Sequence, residues 1–139
     1  SCHISAYAPG LKVLFPSDGG GIPYKETIIP AGNSNYTQFQ EGLEKLKPLE
    51  FDYLCAEHYG YVTGEEARNY MSRSIEMARE RRASIEETYR RTGTIDNTAK
   101  ELTDSFYAQN LDYLVPREIF EAVYRQMVRH IAQALEGGE

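Results

Sequence analysis

The chain has 139 residues, 41% of them hydrophobic and 26% charged, with 15 basic against 21 acidic side chains and a formal net charge of −6. That is the composition of one ordinary globular domain, long enough to bury roughly two thirds of its unfolded surface without disulfides or a structural metal. The acidic balance argues against a general nucleic-acid binder, whose affinity rests on neutralising phosphates, and no apolar run has the roughly 20 residues needed to span a bilayer.

The two thiols, Cys2 and Cys55, show no CxxC spacing and read as reduced, structural cysteines. The N-terminus lacks the charged-then-apolar pattern of a signal peptide, which points to the cytoplasm. The chain begins at Ser1 in the middle of what reads as a strand, so a piece of a longer protein is expected.

Two short β-prone runs around Pro9-Gly10, within residues 3 to 15, predict a hairpin. The stretch Pro16-Ser17-Asp18-Gly19-Gly20-Gly21-Ile22-Pro23 reads as a loop whose glycines permit close backbone approach. Tyr36, Phe39, Leu43 and Leu46 recur at helical spacing behind Asn35 as N-cap and before Pro48, predicting a helix over 35–47. The apolar run from Phe51 to Ala56 suits a buried strand ending at Glu57-His58, and Tyr59-Gly60-Tyr61-Val62 reads as a further loop. Thr63-Gly64-Glu65-Glu66 forms a capping box for a long helix to about Tyr89, closed by Gly93.

Beyond Gly93 nothing is strand-like. A second capping box, Thr98-Ala99-Lys100-Glu101, predicts a helix through Phe106 to Asn110, and Pro116 opens a last helix along Ile119, Phe120, Val123, Met127, Ile131 and Leu135. All arginines fall at or after Arg68, and those from Arg79 to Arg91 interleave with Glu76, Glu80, Glu86 and Glu87, the pattern of a solvated helix face with i,i+4 pairs, with an anion- or RNA-binding face as the alternative.

Two residues stand out by position. Asp18 follows the strand-like Val13-Leu14-Phe15 by three residues, and His58 follows Tyr53-Leu54-Cys55-Ala56. Side chains just past strand ends are placed rigidly, and both types are divalent-metal ligands. Tyr24 and Lys25, after the glycines, and Tyr59, beside His58, are candidate substrate contacts. Ser17 and Cys55 have no adjacent base in sequence, so nucleophilic catalysis finds no support.

The segment Lys12-Val13-Leu14-Phe15-Pro16-Ser17-Asp18, followed forty residues later by Tyr53-Leu54-Cys55-Ala56-Glu57-His58-Tyr59-Gly60, resembles the C-terminal half of the metallo-β-lactamase superfamily. There a "K-V-L-F-x-x-D" strand delivers an aspartate bridging two metal ions, and a later strand ends in a "G-H-G"-like loop with the last histidine. The resemblance covers roughly residues 1 to 90. It implies an α+β fold: the C-terminal half of an αββα sandwich over 1–93, with about three strands in one sheet, followed by a helical extension over 94–139. It also implies Asp18 as bridging ligand, His58 as terminal ligand, and two zinc ions in the intact protein, with iron or manganese as alternatives.

The family's H-x-H-x-D-H signature is absent, the histidines being His3, His58 and His130, and Glu57 stands where the family usually has glycine. His3 is read as a structural strand residue and His130 as a surface or helix-end residue. Two ligands cannot hold a catalytic ion that needs about three. The expectation is therefore a fragment of a metal-dependent hydrolase of esters, thioesters, lactones or phosphoesters, inactive alone. Its partners would be a small-molecule substrate and either the N-terminal half of the same fold or further copies of this chain, without nucleic acid or membrane. The alternatives are a non-catalytic helical interaction module and an iron-using oxidoreductase of the same fold.

Overall fold

The computed structural model describes residues 3–137, so the expectations for Cys2 and for the start at Ser1 lie outside the described residues. The fold is α+β. Strands β1 (Ala6–Ala8), β2 (Val13–Phe15), β3 (Ile22–Tyr24) and β4 (Thr27–Ile29) precede helix α1 (Tyr36–Leu46). Then come β5 (Tyr53–Cys55), β6 (Tyr61–Thr63), and helices α2 (Gly64–Thr92), α3 (Ile95–Gln109) and α4 (Arg117–Gly137). One sheet has the order β1-β2-β5-β6 and the other is the pair β3-β4.

By their internal contacts the residues group into two compact units, one of residues 1–32 and 37–81, the other of residues 33–36 and 82–139. Helix α2 contributes to both. In the first unit, β1 and β2 form the hairpin expected around Pro9-Gly10, pairing Ala6 with Phe15 and Ala8 with Val13. β5 pairs parallel to β2, Val13 opposite Tyr53 and Leu14 opposite Leu54, and β6 returns antiparallel to β5. The period-2 alternation of a strand sends Leu14 and Leu54 to one face, where both are fully buried. Each of these burials contributes about 2 kcal/mol. The buried stripe of α2 in this unit is Ala67, Tyr70, Met71, Ser74, Ile75 and Ala78, and that of α1 includes Phe39 and Leu43. Arg79 of α2 donates to Glu44 of α1 at 2.9 Å.

In the second unit α3 packs on α4. Phe106 stacks on Phe120 with ring centroids 4.3 Å apart, and Tyr113 and Tyr124 close on Phe120 edge-on. Phe120, Tyr124, Met127, Val128 and Ile131 form the buried stripe of α4, whereas Ile119, expected on that stripe, is exposed. Two arginines at the end of α2 pair as their interleaving with glutamates implied, Arg82 and Arg90 both reaching Glu86 at i,i+4, whereas Arg91 reaches Glu101 on α3, outside that pattern.

Four expectations are corrected. The sheet content is six strands in two sheets rather than about three in one. Pro16–Pro23 is not irregular throughout: Ser17–Gly20 makes a 3-10 turn, and Ile22-Pro23-Tyr24 pairs antiparallel with Thr27-Ile28-Ile29. A proline is tolerated there because this two-stranded ribbon consists of edge strands, where a missing N–H breaks no central ladder. Tyr61-Val62 is strand β6, not loop. Helix α3 starts at Ile95, with Thr94 as the N-cap accepting from the Asn97 N–H at 3.2 Å. Thr98 is instead buried in the helix, its hydroxyl donating to the Thr94 carbonyl at 2.7 Å.

Among the described residues no helix is long and apolar enough to cross a membrane.

Candidate metal centre

The parallel pairing of β2 with β5 brings Asp18 and His58 together. Both residues leave the C-terminal ends of neighbouring strands that run the same way, so the two loops emerge side by side. The His58 Nε2 stands 3.4 Å from the Asp18 Oδ1, with the histidine side chain half exposed and the carboxylate mostly covered.

Each residue is flanked by strained backbone. Ser17, just before Asp18, has φ 52°, and Tyr59, just after His58, has φ 64°; only Lys12 and Lys25 share this left-handed conformation among described non-glycine residues. Such conformations cost of order 1 kcal/mol or more and persist only where the surroundings enforce them. At His58 the enforcing contact is a tight turn in which the Ala56 N–H donates to the Gly60 carbonyl at 3.0 Å. At Asp18 it is packing of the glycine loop against α2: the Ser74 hydroxyl donates to the Gly20 carbonyl at 2.7 Å and the Tyr70 hydroxyl to the Gly21 carbonyl at 3.0 Å. Burial pushes the Tyr70 hydroxyl above its ordinary value near 10, with Arg73 opposing, so it remains a donor at neutral pH.

The glycines serve this packing. A Cβ at Gly20 would stand 2.5 Å from the Pro16 Cβ, and one at Gly21, where φ is +84°, would stand 2.6 Å from the Ile28 Cγ2 and 2.8 Å from the Ser74 Oγ. The close approach that the glycine run implied is thus to the protein's own core.

The other candidates gather around the same loops. Tyr24 and Tyr59 meet edge-on with ring centroids 5.6 Å apart, and the Lys25 ammonium sits 5.1 Å from the centre of the Tyr24 ring. Tyr24 is buried while Lys25 and Tyr59 are exposed, which gives an aromatic wall with a cation at its edge.

Three further residues, Ser17, Glu57 and His3, stand beside these loops without having been singled out for the site. The Ser17 hydroxyl donates to the Glu57 carboxylate at 2.7 Å, bridging the loops of Asp18 and His58 across forty residues. No sequence signal pairs these two, since neither belongs to a periodic pattern. His3 precedes β1 rather than standing within a strand, and its Cβ lies 3.1 Å from where a Cβ on Gly19 would be, beside the Asp18 loop. The clamp residues Tyr70 and Ser74 had a legible signal: polar groups at i, i+4 on an otherwise apolar stripe. Cys55 is a free thiol on β5, and His130 stands on α4 in the other unit.

As a metal site the donor chemistry fits and the donor number does not. Carboxylate oxygen and imidazole nitrogen are good ligands for zinc, iron or manganese. Among the described residues, however, no group of three His, Cys, Asp or Glu side chains comes together that could hold an ion.

No family model matches the chain, and a search of curated proteins finds no match either.

Proposed function

We propose that this chain is the second half of a metallo-β-lactamase-type αββα sandwich with a helical extension, and that it supplies Asp18 and His58 to the divalent-metal centre of a hydrolase. The observation that carries this reading is the 3.4 Å approach of His58 to Asp18 past the ends of two parallel neighbours, between two strained loop residues. The exposed face of the larger sheet supports it. Register places Val13, Phe15, Tyr53, Cys55 and Tyr61 on the side opposite Leu14 and Leu54, and Phe15, Tyr53 and Tyr61 are 47%, 48% and 69% exposed. An apolar sheet face of this kind suits a covering layer, either the first half of the same sandwich or a second copy of this chain.

Within that reading two zinc ions, or iron or manganese in their place, would complete their ligands from the first half of such a sandwich, and a bound ion would supply Lewis acidity and a water whose pKa falls toward 7. Asp18 would serve as the bridging ligand and His58 as a terminal one. The Ser17–Glu57 hydrogen bond and the Tyr70 and Ser74 clamps hold the two ligand loops in register, which a site needs to within about 0.5 Å. Tyr24 and Tyr59 shape one wall for a small-molecule ester, thioester, lactone or phosphoester, with Lys25 at its edge to meet an anionic group. The chain alone is inactive.

The test is metal analysis and ester hydrolysis on the intact protein, or on this chain reconstituted with a segment bearing H-x-H-x-D-H. Close to two metal ions per complex are expected, with metal and hydrolysis both lost in Asp18→Ala. A metal-free complex prepared without chelator would overturn the reading.

A further inference from the structure

The second unit carries a polar pocket that the proposed metal centre does not use. Gln126, Arg129, His130 and Gln133 fall at i, i+3, i+4 and i+7 on α4, one face of the helix, and with Asn33 and Ser34 they line a space of about 220 Å³. All six residues belong to that one unit. The lining has no carboxylate and no apolar side chain, and every member is a hydrogen-bond donor: a guanidinium, an imidazole, three primary amides and a hydroxyl.

Two observations suggest what such a lining is for. First, Arg129 makes no ion pair among the described residues, although Arg82, Arg90, Arg91, Arg117 and Arg125 of the same unit all pair with carboxylates. In a chain of net charge −6 with 21 acidic residues, an arginine left without a carboxylate beside a pocket of donors is conspicuous. Second, the Nδ1 of His130 is buried without a hydrogen-bond partner among the described residues. Buried polar atoms are nearly always satisfied, so an orphaned ring nitrogen at a pocket lining marks a group whose partner is a ligand or an ordered water.

We propose that this pocket binds a small oxyanion of phosphate size, free or as the phosphoryl group of a small metabolite. The guanidinium fork matches two oxygens of a tetrahedral anion, and the imidazole and amides that line the same space carry N–H groups able to donate to the others. At about 30 Å³ per water the space holds on the order of seven waters, room for a phosphate with part of its hydration but below the roughly 300 Å³ at which drug-sized ligand sites begin. The proposal does not depend on the metal centre.

The experiment is a titration of the purified chain with inorganic phosphate, at constant ionic strength in buffer passed over chelating resin, following the His130 ring and Arg129 side-chain resonances. Saturable shifts at both are expected, with apparent affinity weakened about tenfold or more in Arg129→Gln, a substitution at an exposed site. Asp18→Ala should leave the titration unchanged. A phosphorylated sugar that saturates at lower concentration than free phosphate would assign the ligand as a phosphorylated metabolite; equal or weaker binding would assign free phosphate. Linear, non-saturating shifts, an unchanged affinity in Arg129→Gln, or saturation by acetate but not by phosphate would each overturn the proposal. If Arg129→Gln does not fold, Gln133→Ala takes its place, with the same weakening expected and an unchanged affinity contradicting it.

Discussion

Asp18 and His58 are forty residues apart, and each was legible as a side chain just past a strand-like run; their meeting rests on the parallel pairing of β2 with β5, which no periodicity announces. What could not be read was the machinery that fixes the loops, since hydrogen bonds such as Ser17–Glu57 and Tyr70–Gly21 link residues with no shared periodicity. The glycines also took on a different meaning: at Gly21 the demand is close packing against Ile28 and Ser74 together with φ +84°. At Gly60, φ is +93° and a Cβ would meet nothing within 4 Å. Gly21→Ala should therefore cost about 3 kcal/mol, overpacking added to backbone strain, and Gly60→Ala only about 1 kcal/mol from the strain alone. Urea unfolding checks this; equal losses at the two positions would show that the packing of Gly21 is not rigid.

Among the elements, the four helices and the first hairpin were readable because their apolar residues repeat over many turns or flank a strong turn signal. The strands β3, β4 and β6 were not, because glycines and Pro23 around β3 and Gly60 just before β6 read locally as loop, and β4 lies between turn residues with no longer apolar run to mark it. The start of α3 was misplaced for another reason: Thr94 and Thr98 are both threonines ahead of helical sequence, and Thr98-x-x-Glu101 matches a capping box better than the residue that caps. Thr94→Ala should lower stability by about 1 kcal/mol through the orphaned Asn97 N–H, with loss of amide-exchange protection concentrated in the first turn of α3. No change in that turn would return the cap to Thr98.

For the molecule as a whole, the decisive feature is a sheet with one face buried on the core and the other bearing Phe15, Tyr53 and Tyr61 in solvent. Taken alone, the chain should associate through this face as concentration rises, and the double change Tyr53→Ser and Tyr61→Ser should remove that association in sedimentation velocity without unfolding the chain, since both side chains are about half or more exposed. Association that survives the double change would place the contact elsewhere.

If Asp18 and His58 ligate one divalent ion, zinc titration of this chain followed at its three histidine rings will show it. Saturable, weak binding that shifts His58 and is abolished by Asp18→Ala is the predicted result. A His58 ring that does not respond to zinc, or responds equally well in Asp18→Ala, would show that the two residues share no ion.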